Sequence, residues 1–228
     1  WILPRLVTLQ PLRNWREMVR ELDSEGKTPG RSSPAAFEDE RDSPFSPGAI
    51  DPNVAVAPIG ADGEVCLSNS QHPSVHVIAD HLGAIDGSAY TLATPSGAPD
   101  RKIDTRAGLG GGLVAPSERR CFAVAGRPGD AAIVNLTPLL AGGSGNGQLI
   151  SSDVVVPPVA SNVNFGAGTI DPNVAVAPIG ADGEVCFANS AHTSVHVIMD
   201  HLGTVDGSAY TLATPSGAPA RKLDTRAQ

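Results

Sequence analysis

Three cysteines, six histidines and a recurring Asp-Thr-Arg group are the side chains of this 228-residue sequence whose types and spacing could do chemistry. Cys186 lies between Val185 and Phe187, and Cys121 opens the apolar run Phe122–Ala125, both in stretches that read as strands. A bridge between them would close a loop of about 65 residues, worth ~4 kcal/mol through the entropy it removes from the unfolded chain. The alternative is three reduced, buried thiols, with Cys66 the third. No CxxC or CxxH spacing exists, so zinc is not expected. The histidines form two sets, His72, His76, His81 and His192, His196, His201. His76 and Asp80 share a strand face and His81 follows, so a His/Asp ligand set can be drawn. The plainer reading puts His76 in solvent, on the face opposite Val75 and Val77. His196, Asp200 and a serine could be drawn as a hydrolytic triad, but no G-x-S-x-G elbow accompanies them. Gly108 to Gly112 lacks the Lys-Ser/Thr and helix of a phosphate loop. The sequence is therefore read as non-enzymatic, with no catalytic residue, cofactor or metal assigned.

Asp104-Thr105-Arg106 returns as Asp224-Thr225-Arg226. Such a group could present a carboxylate and a guanidinium to a glycan, or pin the first strand of a unit to its sheet. Recurrence at a unit boundary favours the second role, with Asp104, Arg106, Asp224 and Arg226 forming a structural polar group.

All six histidines belong to one duplication. Residues 48–107 recur at 168–227 with an offset of 120 and ten substitutions. Within each copy Val54-Ala55-Val56-Ala57 alternates as a strand should, and Gly60-Ala61-Asp62-Gly63 is a turn signal. Glu64 to Ser68 and Ser74 to Asp80 then resume the period of two. A hairpin and a third strand, together a three-stranded antiparallel meander, are the local expectation. Thr91 to Asp100 is built of small residues, Gly and Pro and reads as an exposed connector. Between the copies, strands are expected near Cys121–Ala125, Ala132–Leu136, Gln148–Ser151 and Ser161–Phe165.

These elements predict an all-β fold, an antiparallel β-sandwich of jelly-roll or Ig-like type. The organisation expected is an unrelated charged segment over 1–47, a partial repeat and connector over 48–97, a complete sandwich over 98–217 and the start of a further repeat over 218–228. Trp15, Met18, Val19 and Leu22 fall at helical spacing behind an Asn14/Glu17 capping pair, predicting one short N-terminal helix. The half unit needs a partner, so it should pair with another chain, lean on the complete unit or stay disordered.

Composition sets bounds. With 41% hydrophobic residues, 4% aromatic, 25 Gly and 20 Pro, the chain suits short strands joined by turns. Net charge is −8 and no Lys/Arg cluster appears, which argues against nucleic acid as a partner. No apolar run reaches the length of a membrane span, so membrane insertion is not expected.

The succession Arg101–Leu109, Ile133–Thr137, Ser161–Phe165, Pro172–Val176, Gly180–Cys186 and Val195–Gly203 resembles the all-β repeat found in tandem in secreted and cell-surface proteins of actinobacteria. The resemblance covers residues 48 to the end; the ending Asp200-His201-Leu202-Gly203 departs from the aromatic close usual in that group. It implies an extracellular, non-catalytic structural or adhesive repeat, secreted or held at the cell surface, whose partners are neighbouring repeats of the same protein. A carbohydrate- or cell-wall-binding accessory module of a larger hydrolase, with a cell-surface glycan as partner, is the alternative.

Overall fold

The computed structural model describes residues 4–10, 53–67, 77–157, 160–211 and 213. Twelve strands occur among them: β1 (Pro4–Gln10), β2 (Asn53–Pro58), β3 (Ile78–Ala84), β4 (Tyr90–Leu92), β5 (Asp100–Asp104), β6 (Arg119–Ala123), β7 (Ala131–Leu139), β8 (Gly145–Ser151), β9 (Val163–Phe165), β10 (Asn173–Pro178), β11 (Glu184–Asn189) and β12 (His196–Val205). The described residues contain no helix, and the helix expected from Trp15 to Leu22 lies outside them.

Every strand pair is antiparallel, and strands β4 to β12 build a sandwich. One sheet runs β10-β7-β12, with β4 and β5 sharing the far edge of β12; the other runs β6-β11-β8-β9. Alternation decides which side chains meet between the layers. Ala132, Val134 and Leu136 of β7, Ala175 and Ala177 of β10, and Val197 and Met199 of β12 face Phe122, Leu149, Val185 and Phe187 of the second sheet. All are buried. The all-β sandwich read from the sequence is therefore the fold, and the strands expected between the copies are β6 to β9.

The expected meander is corrected. β10 pairs with β7, β11 pairs with β6 and β8, and β12 pairs with β7 on its other side. Consecutive strands thus alternate between the sheets, and Gly180–Gly183 is a corner rather than a hairpin, closed by Gly180 N–H donating to Glu184 O at 2.9 Å. A period of two reports that one face is buried; it is silent on whether the next strand joins the same sheet. The connector is corrected too. Tyr90–Leu92 is strand β4, and Thr94 to Gly97 is a hydrogen-bonded turn whose Gly97 lies against Pro58, with no room for a Cβ.

The remaining strands form a sheet ordered β2-β1-β3. Its pairing repeats that of β10-β7-β12. Leu9 opposes Asn53 as Leu136 opposes Asn173, Val7 opposes Ala55 as Val134 opposes Ala175, and Pro4 opposes Pro58 as Ala131 opposes Pro178. On the other side Val7 opposes His81 and Leu6 opposes Gly83, as Val134 opposes His201 and Ile133 opposes Gly203, with the same one-residue bulge between them. The sequences agree, PRLVTLQPL at 4–12 beside AAIVNLTPL at 131–139. Residues 4–10 are thus the counterpart of β7 in the first unit, although the composition of 1–47 predicts an unrelated segment. The half unit pairs with this strand and also leans on the sandwich.

That contact uses the outer faces. Tyr90, Ala131, Ile133 and Val205 are buried there, with Val56 and Ile85 of the first unit packed against them, and Asn53 Nδ2 donates to Asn135 Oδ1 at 3.3 Å. β7 is consequently covered on both faces, which is why its sequence reads as a nearly continuous apolar run. Glu64 to Leu67, expected as a strand, forms none. Its counterpart β11 is held between β6 and β8, and no equivalents of those flank it among the described residues.

Candidate functional site

The Asp-Thr-Arg group lies where β5 ends beside β12. Asp104 opposes Ile198 in the ladder, and its peptide exchanges hydrogen bonds with Leu109 at 3.0 Å in each direction, so the chain must fold back immediately. The Arg106 guanidinium grips the Asp104 carboxylate through Nε at 3.1 Å and Nη2 at 3.0 Å. Arg101 reaches the same carboxylate at 3.4 Å and holds Asp200 of β12 through Nε at 2.8 Å and Nη2 at 3.1 Å. Charges therefore alternate along Arg106, Asp104, Arg101 and Asp200 and cancel. The Arg106 hydrogen bonds, against the opposing effect of burial, hold the Asp104 carboxyl below its ordinary value; the bond to Asp200 raises Arg101.

Thr105 points the other way and is 3% exposed. Its hydroxyl accepts from Val197 N–H at 2.9 Å and meets Val197 O at 3.3 Å and His196 Nδ1 at 2.9 Å. Donation to the carbonyl and acceptance from both nitrogens would fill every site a hydroxyl has. The group works as a rivet between the first and last strands of the unit. Replacing Thr105 by Val strands the buried Val197 N–H and should cost about 1–3 kcal/mol. Thr105→Ser should recover most of it in urea denaturation. Asp224 and Arg226 lie outside the described residues.

Cys121 and Cys186 form a disulfide. They are directly opposed on β6 and β11, and Ile150, Ala188 and Val154 cover the bridge on the outer face of the second sheet. Cys66 is free and exposed. A disulfide is the chemistry of an oxidising compartment. No helix among the described residues is long and apolar enough to cross a membrane.

The histidines divide. His81 and His192 are exposed and His196 is part-buried, while His72 and His76 lie outside the described residues. His201 was missed as a buried group. It is 1% exposed, its Nε2 lies 3.1 Å from Thr204 Oγ1, and its Nδ1 meets no partner among the described residues. The signal was present: counting by twos from Val195, Val197 and Met199 reaches His201. Burial pushes the imidazole below its ordinary value, helped by the nearby Lys102 and opposed by Gly203 O and Asp100. The unfolded chain then binds a proton more readily than the folded one, so stability is lost as pH falls below about 6.5 and levels off below the folded value. His201→Gln should flatten that part of a stability-against-pH curve measured by urea denaturation.

No group of three or more His, Cys, Asp or Glu side chains among the described residues is placed to hold a metal. A polar hollow of about 300 Å³ lies beside β9 and the start of β10, lined by Asn162, Asn164, Asp171 and Asn173. Much of its polar surface is engaged: Asn162 Oδ1 accepts from Leu149 N–H at 2.6 Å, Asn173 donates to Asn162 O, and Asp171 accepts from Gly166 N–H at 3.1 Å. It offers amides and a carboxylate, with no aromatic platform. No protein-family profile matches the chain, and neither curated proteins nor solved structures give a match.

Proposed function

We propose that the chain is a non-catalytic structural or adhesive repeat module of a secreted or cell-surface protein. The carrying observation is that the two units are joined by more than a tether. The segment leaving the first unit becomes edge strands β4 and β5 on β12 of the next, and the outer sheet faces pack through Val56, Ile85 and Ile133. Neighbouring repeats are then the principal partners, and the Asp104–Arg106 group is the fastening at each junction. The disulfide suits an extracellular setting. A panel of ester, glycoside and peptide substrates should give no turnover. Turnover that survives purification and is lost on substitution of His196 or Asp200 would sink this reading.

The polar hollow at Asn162 and Asp171 favours a second reading, a carbohydrate- or cell-wall-binding accessory module. Saturable retention on cell-wall polysaccharide, weakened by Asn164→Ala, would support it. Absence of retention would remove it.

A further inference from the structure

The far edge of β12 shows what a complete unit does with that edge. Tyr90 opposes Val205, Leu92 opposes Gly203, Ile103 opposes Met199 and Arg101 opposes Asp200. The Tyr90 hydroxyl donates to Leu202 O at 2.9 Å, and a Cβ on Gly203 would overlap it. β3 is the copy of this strand, IADHLGA beside IMDHLGT, and among the described residues it pairs only with β1. Nothing lies within 4 Å of a Cβ built on Gly83, the position that meets Tyr90 in the other copy. Leu82 is 55% exposed, and His81 is exposed where His201 is buried. Among the described residues the seat is built and open.

The matching strand sequence occurs once more in the chain. Residues 210–226 repeat 90–106 with two changes, Asp100 to Ala220 and Ile103 to Leu223. In the register of β5 on β12, where Ile103 opposes Met199, Leu223 would stand opposite Ala79. Arg221 would meet Asp80 as Arg101 meets Asp200, and Tyr210, which packs here against the Tyr90, Ile133 and Val205 cluster, would leave that cluster to meet Leu82 O. The direction is also set, because the segment leaving the first unit seats on the unit that follows it rather than on its own.

We propose that the open edge of β3 accepts the 210–224 segment of a second copy of this chain as donated edge strands, so that copies associate head to tail. This rests on the repeat-module reading above and deepens it. The contact is heterologous, so it builds a ring where the rotation between copies closes and an open filament where it does not, and main-chain ladder bonds supply affinity while Arg221, Tyr210 and Leu223 supply register.

Sedimentation of the full chain over a wide concentration range should show reversible growth beyond the monomer. Asp80 is exposed, so Asp80→Arg leaves the fold intact and should weaken association about tenfold or more through like-charge repulsion with Arg221. Arg221→Asp should do the same, and mixing the two variants should restore association. A monomer at every concentration, including one whose own tail is protected from protease, overturns the proposal, as does association unchanged by removal of residues 210–228. Neither result touches the non-catalytic reading, which the turnover panel decides separately.

Discussion

Reduction of the Cys121–Cys186 bridge should lower the stability of the sandwich by about 4 kcal/mol. The bridge spans a sequence separation of 65, and an open loop of that length regains entropy in the unfolded chain worth roughly 4 kcal/mol. That is a large share of the 5–15 kcal/mol or so that typically holds a domain together. The two sulfurs lie on the outer face of the second sheet and not between the sheets, so reduction leaves the main core intact. The effect should appear as a shift in denaturation midpoint with a steeper dependence on denaturant, since the reduced unfolded chain exposes more surface. Cys121→Ala with Cys186→Ala should reproduce it. An unchanged midpoint after complete reduction would show that the unfolded ensemble gains nothing from the cut. Cys66→Ala should be silent, because that thiol is exposed and unbridged.

Phe187→Ala should cost about 3–5 kcal/mol, the range for deleting a buried aromatic ring. Phe187 is fully buried between the sheets, and its ring occupies the space above Gly147, where a Cβ would collide with it. The gap cannot be filled from that side by a glycine. Leu67 holds the same place in the first copy and is 53% exposed, so Leu67→Ala should change stability by less than about 0.5 kcal/mol. The pair of measurements tests whether the two copies, nearly identical in sequence, differ in burial. Equal costs would mean that the first copy has found a second sheet in solution.

What the sequence made legible follows from what periodicity encodes. Alternation in Val174-Ala175-Val176-Ala177 and Glu184-Val185-Cys186-Phe187 marks strands with one face inward, and these form as expected. Which sheet each joins depends on pairings far along the chain, Val176 with Ile133 and Cys186 with Cys121, and no local pattern carries that. The disulfide was legible because Cys121 and Cys186 both fall in stretches with strand character inside one complete unit. The kinship of residues 4–12 with β7 was missed because only four of the nine positions are identical and the offset is 127 instead of 120. Shared register exposed it. At the Asp-Thr-Arg group the residues were visible, whereas the role of Thr105 required seeing Val197 and His196 brought beside it by strand pairing.

The meeting of Tyr90 with Val205 has a mechanical corollary. The chain runs into the sandwich at Tyr90 and leaves it at Val205, and these two residues oppose each other at one end of an antiparallel pair. Tension on a string of such units would load that pair first and then the next, peeling bonds one after another instead of shearing them together. β4 would part from β12 at low force, while the sheet joined by Cys121–Cys186 lies off the line of pull. A filament built this way yields a little at every joint under small loads and keeps its cores closed.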